Sequence, residues 1–174
     1  FAPNVLPAVG TVLTVSYAND LWKLRGVELV EPTIDAGSPA RLRVRLAPFA
    51  GKEIVQTVNV AVPAEFAGKD AEIEVVPGYE IQPEMGQPQT LSGLLSNATR
   101  QTLPPKSLVF QIRLKAQGVS FGSHVADRLP GFALDTLRPQ SSTFGPESFH
   151  AFARTTLPLA FYVDGKDKVK VHVR

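Results

Sequence analysis

The chain has 174 residues, of which 44% are hydrophobic and 20% are charged, and this composition is ordinary for a soluble globular fold with its own core. Its 18 basic and 16 acidic residues leave a formal charge of +2, well short of the concentrated basic field of a typical nucleic-acid-binding protein, so no nucleic acid is predicted as a partner. The absence of cysteine excludes disulfides, thiolate metal sites and cysteine nucleophiles. The longest apolar runs are too short to span a bilayer, so no transmembrane segment is predicted.

Two stretches near the start of the chain predict β-strands. Residues 11–17, T-V-L-T-V-S-Y, form a β-branched run after a lead-in punctuated by prolines. Residues 22–30 alternate apolar and polar side chains, but the alternation changes phase at Gly26. An extra residue there would re-aim the strand, so we predict a β-bulge at Gly26.

The stretch Pro39–Pro48, P-A-R-L-R-V-R-L-A-P, has the clearest pattern in the sequence. Alternate positions are apolar, and the positions between them are Arg41, Arg43 and Arg45. This period of two is typical of a half-buried strand bracketed by prolines. It predicts a β-sheet with one face in contact with solvent.

Two shorter alternating stretches follow, at residues 54–62 and 71–75, with turn residues between them. Strands at this spacing are typical of a β-sandwich. Glu72 and Glu74 would oppose the arginines of Pro39–Pro48 if those two strands paired, with a gain of about 0.2–1 kcal/mol for each pair. We interpret both sets of charges as solvated side chains on the outer face of a sheet.

The second half of the chain begins with a polar, proline-spaced linker at residues 79–89. Leucines at helical spacing predict one helix over residues 90–101, and strict alternation predicts a strand over residues 107–116. Residues 118–145 lack clear periodicity, and we predict a long loop with a functional role or a covering partner.

The C-terminal residues predict a hairpin. Alternation over residues 157–163 resumes over residues 169–173, and Asp164 and Gly165 form the turn between them. Opposite its valines, the last strand carries a basic stripe, which we interpret as a lysine-protected edge rather than an anion-binding site. The members of this stripe are Lys166, Lys168, Lys170, His172 and Arg174.

We therefore predict a mainly β fold: an immunoglobulin-like β-sandwich followed by a second β-rich unit with one short helix. Residues 1–21 are predicted to hold a lead-in strand, residues 22–78 the sandwich, and residues 79–174 the second unit with its helix and C-terminal hairpin. The start F-A-P-N, without an initiator methionine, favours a mature or excised piece of a longer protein. The predicted core contains Leu42, Val44, Leu46, Val58, Val60, Ile73, Leu94, Phe110, Ile112, Phe161 and Val171.

Residues with catalytic or metal-binding chemistry are scattered along the sequence. His124, His150 and His172 lie in different segments and form no H-E-x-x-H or H-x-H motif. Ser123 beside His124 and Ser148 near His150 are the nearest approach to a nucleophile with a base, but adjacent residues of a strand point to opposite faces. The sequence predicts no catalytic residue, no cofactor and no metal site. The carboxylates without an acid–base spacing are Glu72, Glu74, Asp127, Asp135 and Glu147.

The order of these pieces resembles a known bacterial family. The run V-E-L-V-E-P-T-I-D-A-G-S-P-A-R-L-R-V-R-L-A-P-F-A-G-K-E-I-V-Q-T-V-N-V-A-V-P, Leu94-Leu95, S-L-V-F-Q-I-R-L and the terminal V-D-G-K-D-K-V-K-V-H-V are similar to the region after the protease domain in some large envelope proteins with a SpoIVB-type serine peptidase domain. The resemblance covers the chain from about Trp22. It implies an exported, non-catalytic accessory module. No catalytic residue is transferred, because the serine and histidine motifs of the peptidase are absent from this sequence.

The expected function is that of a non-catalytic structural or protein-interaction module of an exported bacterial envelope protein. It would lie in the periplasm, on the outer surface or outside the cell, and its partner would be another protein or a neighbouring domain of the same chain. One alternative is a carbohydrate-binding module that stacks sugars on Trp22, Tyr17 or Tyr79. The other is a hydrolase with serine, histidine and aspartate drawn from residues 118–149. The sequence assigns no binding residues.

Overall fold

The computed structural model describes residues 10–15, 17, 20–81, 91–92, 94–95, 103–121, 124–129 and 147–174, with the backbone alone at 120–121, 124–125, 127–129 and 147–148. Within these ranges the chain forms ten β-strands, two single-turn 3-10 helices at Ala64–Phe66 and Gly78–Glu80, and helical backbone at residues 91–92 and 94–95. The strands are β1 (Leu21–Leu29), β2 (Thr33–Ile34), β3 (Pro39–Pro48), β4 (Ile54–Ala61), β5 (Lys69–Pro77), β6 (Ser107–Phe121), β7 (His124–Leu129), β8 (Glu147–Pro158), β9 (Tyr162–Asp164) and β10 (Asp167–Val173).

The strands form two sheets. The first sheet has the order β4-β3-β1-β9, and the second has the order β2-β10-β5-β6-β7, with β8 on the other side of β6. Most pairs are antiparallel, but β1 with β9 and β10 with β2 are parallel. The prediction of a mainly β fold is confirmed, and the inward sides of the two sheets share one core, as in a β-sandwich. The immunoglobulin-like subtype stays a prediction.

The strand β3 has the bounds predicted from its prolines. Its apolar residues Ala40, Leu42, Val44 and Leu46 are fully buried, because a strand with period two sends them all to the core side. Its neighbours β1 and β4 pair with it along nearly its whole length. The arginine side of the first sheet is therefore held on a rigid central strand.

The core draws side chains from both sheets. Leu42 of the first sheet and Ile73, Phe110 and Val171 of the second have no exposed surface. Each such side chain contributes about 1.5–3 kcal/mol relative to its exposed state. The predicted core is confirmed except at Leu94, which is 53% exposed, and at Phe161, which is only half-buried although it packs against the core.

Two local predictions are wrong and a third falls largely outside the described residues. Residues 11–15 and 17 have no regular structure and are exposed; their β-branched run has no described strand to pair with. The predicted loop at 118–145 contains the end of β6 and all of β7, which pair with each other. Of the predicted helix at 90–101, the described residues 91–92 and 94–95 have helical backbone, and the rest lies outside the described ranges.

The predicted C-terminal hairpin is also wrong. The chain does turn at Gly165, which has a φ of 105°, but β9 and β10 enter different sheets. β9 pairs with β1, and β10 lies between β5 and β2. The turn is a crossover from one sheet to the other, so alternation on both sides of it correctly indicates strands without indicating their partners.

Strands on both sides of the predicted unit boundary at residues 78 and 79 are hydrogen-bonded to each other. β5, before the boundary, pairs with β6 and β10, which follow it. In the first sheet, β1 pairs with β9 in the same way. The division into 22–78 and 79–174 stays a prediction of the sequence, and the one hydrophobic core spans it.

Candidate functional site

The outward side of the first sheet carries a concentration of cationic side chains. β3 places Arg41, Arg43 and Arg45 on this side, because its alternate apolar residues point into the core. β1 adds Lys23 and Arg25, so five cations lie on two adjacent strands, two from β1 and three from β3. We call these five residues the arginine face.

A β-bulge keeps the charges of β1 on the same side as those of β3. The register shifts just before Gly26, so that Arg25 and Gly26 together lie opposite Arg45. A Cβ atom at Gly26 would lie 3.1 Å from Nη2 of Arg45, so glycine leaves room for the guanidinium. The bulge predicted at Gly26 is confirmed. Because of it, Lys23 before the bulge and Glu28 after it both point outward.

Few carboxylates neutralise the arginine face. Oε1 of Glu28 lies 3.2 Å from Nη2 of Arg45, and both side chains are about half exposed. Within the described ranges, no carboxylate forms an ion pair with Arg41 or Arg43. Nε of Arg45 is buried and has no hydrogen-bond partner among the described atoms. The face therefore has a net positive field that attracts anionic groups.

A cleft of about 380 Å³ opens at one end of the arginine face. Lys23 and Asp164 supply charge to its walls, and Phe49, which is 91% exposed, supplies an aromatic ring. Trp22 also lines the cleft, but its ring stacks on Phe161 with centroids 4.1 Å apart. One side of the Trp22 ring is therefore covered by Phe161 and is closed to a ligand.

The outward side of the second sheet has the opposite arrangement. β10 presents cations and β5 presents anions, and the antiparallel register places one opposite the other at three successive outward positions. We call these six residues the paired face. Its pairs are Lys168 with Glu74, Lys170 with Glu72, and His172 with Asp70.

Short contacts hold the paired face together. Nζ of Lys168 lies 3.2 Å from Oε1 of Glu72 and 3.6 Å from Oε1 of Glu74. The hydrogen bond to Glu72, with the charges of Glu74 and Glu72, raises the pKa of Lys168 above its ordinary value. Nδ1 of His172 lies 2.8 Å from Oδ1 of Asp70. The basic stripe predicted on the last strand is therefore largely neutralised by neighbouring carboxylates.

These contacts show which residues Glu72 and Glu74 face. From the sequence, both would oppose the arginines of β3 if the two strands paired. Instead β5 lies in the second sheet, between β10 and β6, and the two carboxylates face lysines. A sequence signal for this pairing exists: D-A-E-I-E in β5 and K-V-K-V-H in β10 have complementary charges in antiparallel register.

A second cleft, of about 270 Å³, adjoins the paired face. Its polar groups are already partnered: Nζ of Lys166 lies 2.5 Å from Oε2 of Glu80, and Nε2 of Gln111 donates to Oε2 of Glu74 over 2.8 Å. The hydrogen bond to Glu80 raises the pKa of Lys166. Since these donors and acceptors are used within the chain, a ligand here would have to displace them.

The predicted chemistry-bearing residues are not brought together in the described part of the chain. His150 hydrogen-bonds Arg113 on the neighbouring β6. His172 binds Asp70, and the strands β5 and β6 separate it from His150 on β8. Ser123 and most of the 118–149 region proposed for a hydrolase lie outside the described residues, as does the side chain of His124. No group of three or more metal-binding side chains occurs among the described residues.

The sequence did not identify the cleft beside the arginine face. Phe49 follows β3 and Asp164 ends β9, more than a hundred residues apart, so only the parallel pairing of β9 with β1 brings them to one place. A large aromatic residue directly after the proline that ends a strand was the available signal at Phe49.

None of the helical backbone that the structure describes is long and apolar enough to cross a bilayer. Comparison of the chain with protein-family models, with curated proteins and with solved structures finds no significant match. The features that bear on function are therefore the arginine face, its cleft and the contrast with the paired face.

Proposed function

We propose that the chain is a non-catalytic structural or protein-interaction module of an exported bacterial envelope protein. Its binding surface is the arginine face, and its partner is an acidic surface of another protein or of a neighbouring domain. The resemblance in sequence to the region after a SpoIVB-type peptidase domain supports export to the periplasm, the outer surface or the medium.

One observation carries the proposal: the arginine face has five cations and one carboxylate, Glu28, whereas the paired face has equal numbers of cationic and acidic residues. Arg41 and Arg43 lie at alternate positions of one strand, about 6.8 Å apart, and like charges at this spacing repel each other. A solvent-exposed sheet face needs only polar side chains and does not require a row of like charges. Planar guanidinium groups bind carboxylates through two parallel hydrogen bonds, which favours an acidic protein partner.

The proposal is tested with poly-L-glutamate as a model acidic chain. The wild-type protein is compared with an Arg41→Gln, Arg43→Gln double variant. A Lys168→Gln, Lys170→Gln double variant of the paired face, which also removes two positive charges, is the matched control. We expect the arginine double variant to bind about tenfold more weakly at low salt, and the control to bind like the wild type. Equal loss of affinity in the two variants would show that net charge, and not this face, determines binding.

A second candidate function, carbohydrate binding, is favoured by the cleft. Aromatic rings beside charged side chains are the usual lining of a sugar site, and Phe49 and Lys23 meet there. Trp22→Ala is a poor test because it also removes the stack on Phe161. Phe49→Ala is cleaner, with Tyr17→Ala, another exposed ring, as control. Glycan-array binding that is lost only in Phe49→Ala would support a sugar ligand.

A further inference from the structure

The strand β4 is an open edge of the first sheet. It pairs with β3 on one side, and no strand in the described part of the chain pairs with its other side. β8 of the second sheet approaches β4 without pairing with it. Half of the backbone N–H and C=O groups of an edge strand point away from its one neighbour, so β4 offers unpaired donors and acceptors.

β4 lacks the features that protect the other described edges. Its sequence I-V-Q-T-V-N-V-A has no charge, proline or glycine over 8 residues, and Val55 is 57% exposed. By contrast, β2 has 2 residues and β9 has 3, and the edges β7 and β8 carry charged residues. Short length and charge are the usual protections against strand pairing. Among the described edges, β4 is therefore the one best suited to accept another strand.

A buried acceptor on β4, the side-chain oxygen of Gln56, independently indicates a missing partner. Gln56 lies on the inward side of β4, opposite Val44 of β3. Its Oε1 is buried and has no hydrogen-bond partner among the described atoms. A buried acceptor without a donor destabilises the fold, because it has lost its hydrogen bonds to water and gained none in return. A strand added beside β4 with an inward serine, threonine or asparagine near Gln56 would supply the missing donor.

The arginine face indicates what the outward side of an added strand should carry. Short side chains, Val55, Thr57 and Asn59, lie on β4 opposite Arg45, Arg43 and Arg41. An added strand would lie two strand spacings from β3, about 10 Å. The combined length of an arginine and a glutamate side chain spans this distance above the short residues of β4. Outward glutamates would therefore meet the guanidinium groups.

We propose that β4 accepts an extended segment of a partner protein as an additional strand, with acidic side chains outward and a small hydrogen-bond donor inward near Gln56. This inference rests on the proposed function and names its partner: an extended acidic peptide rather than a folded acidic surface. Hydrogen bonds to the backbone of β4 would hold the peptide as a strand, and the arginines would favour a peptide with acidic side chains.

The test uses the full chain and a fluorescent peptide of 8 residues, the length of β4, that alternates threonine with glutamate. We expect binding by fluorescence anisotropy, and slower hydrogen exchange at the amides of β4. Two further peptides are N-methylated, one on its threonines and one on its glutamates. Since alternate residues of an added strand bond to β4, one methylated peptide should lose about tenfold or more in affinity and the other should bind.

Substitutions at Thr57, which is exposed, and at Gln56, whose Oε1 has no partner among the described atoms, add two further tests. Thr57→Glu should weaken binding about tenfold by repelling the glutamates, whereas Thr57→Gln, a neutral change at the same exposed site, should not. A peptide with valine in place of threonine should bind more weakly than the threonine peptide to the wild type. This difference should disappear in Gln56→Leu, which has no acceptor to satisfy.

The outcomes separate this inference from the proposed function. If Arg41→Gln, Arg43→Gln weakens all peptides equally and both methylated peptides bind, the face binds acidic chains without strand addition, and the inference is overturned while the proposed function stands. If the wild type binds no acidic probe more tightly than this double variant, the proposed function fails. If the free protein dimerises and Thr57→Glu makes it monomeric, a second copy occupies β4 and the inference is overturned.

Discussion

The two outer faces of the sandwich use similar sequence patterns in different ways. In both, charged residues alternate with buried apolar residues along a strand. On the paired face, each cation of β10 lies opposite an anion of β5. On the arginine face, Arg41 and Arg43 lie opposite Asn59 and Thr57 of β4. Glu28, the single carboxylate on β1, lies opposite Arg43 in register and forms its ion pair with Arg45. The pattern along one strand thus indicates a wet face, and the neighbouring strand decides whether that face is neutral or charged.

This difference indicates that the paired face contributes to the fold, whereas the arginine face is available to bind an acidic partner. The charges of the paired face satisfy one another across β5 and β10, which belong to the centre of the second sheet. The arginine face leaves its field to the solvent, and beside it lies the open edge of β4. Changes to the strands of the paired face should therefore affect folding, and changes to the arginines should affect binding.

The largest effect is expected from truncation after Gly165, which removes β10. Val171 and Val173 have no exposed surface, and their loss would cost about 1.5–3 kcal/mol each. β2 would also lose its partner strand, and β5 would keep only β6. Against a typical stability of about 5–15 kcal/mol, we expect cooperative thermal unfolding to disappear from the calorimetric trace. A truncated chain that melts cooperatively near the parent temperature would show that β10 is not required for folding.

A smaller effect is expected at Asp167, which connects the strands of the two faces. Its Oδ2 accepts a hydrogen bond of 2.7 Å from the backbone N–H of Val27, just after the bulge of β1. Asp167→Ala would leave that N–H unpaired, at a cost of about 1–3 kcal/mol. Each kcal/mol should lower the melting temperature by about 2–4 °C. Asp167→Asn keeps an acceptor oxygen and is the control; equal destabilisation by both changes would refute the role of this hydrogen bond.

Much of the fold follows from local pattern. The strand Pro39–Pro48, its buried side and the bulge at Gly26 could be predicted because alternation and its interruption are properties of one segment. Pairing is a property of two segments. The same alternation around Gly165 is compatible with a hairpin and with the observed crossover between sheets, so the predicted hairpin was wrong although its strands exist.

The candidate site shows the same limit. The arginines of β3 were identified as an outward row from the sequence, but their significance depends on what lies beside them. Lys23 and Arg25 join them because β1 is the neighbour, and Glu72 is absent from the face because β5 is not. The open edge of β4 likewise could not be predicted from its own sequence, because β4 lacks the charges, prolines and short length that are typical of edge strands.

Neutralising each face in turn compares them directly. We expect replacement of Lys166, Lys168 and Lys170 by glutamine to lower the free energy of unfolding only slightly, because exposed ion pairs contribute about 0–1 kcal/mol. We expect Arg41→Gln with Arg43→Gln to leave it unchanged or raise it, since repulsion is removed. Urea unfolding of the wild type, the triple lysine variant and the double arginine variant measures both changes in the free energy of unfolding. A lysine variant that unfolds would show that the lysines are not the solvated side of β10.

The smallest effect is expected from alkaline pH, and its sign follows from the lysine contacts. In the folded chain the pKa of Lys168 is raised by its hydrogen bond to Glu72, and that of Lys166 by its hydrogen bond to Glu80. A raised pKa contributes stability that is complete below the unfolded value, about 10.4, and is lost as the pH rises through the higher folded value.

The opposite sign applies to Lys69, whose pKa is lowered by its hydrogen bond with Lys115 and by that residue's charge. This repulsion costs stability at neutral pH and is relieved as Lys69 loses its proton. Between about pH 9 and about pH 11.5, the melting temperature of the Lys166→Gln, Lys168→Gln variant should therefore fall less than that of the wild type, and that of Lys69→Gln should fall more. Arg41→Gln is the control from the other face, because an arginine keeps its charge throughout this range and no lysine pair is changed. If the melting temperatures of all four proteins change equally with pH, these lysine contacts do not contribute to stability.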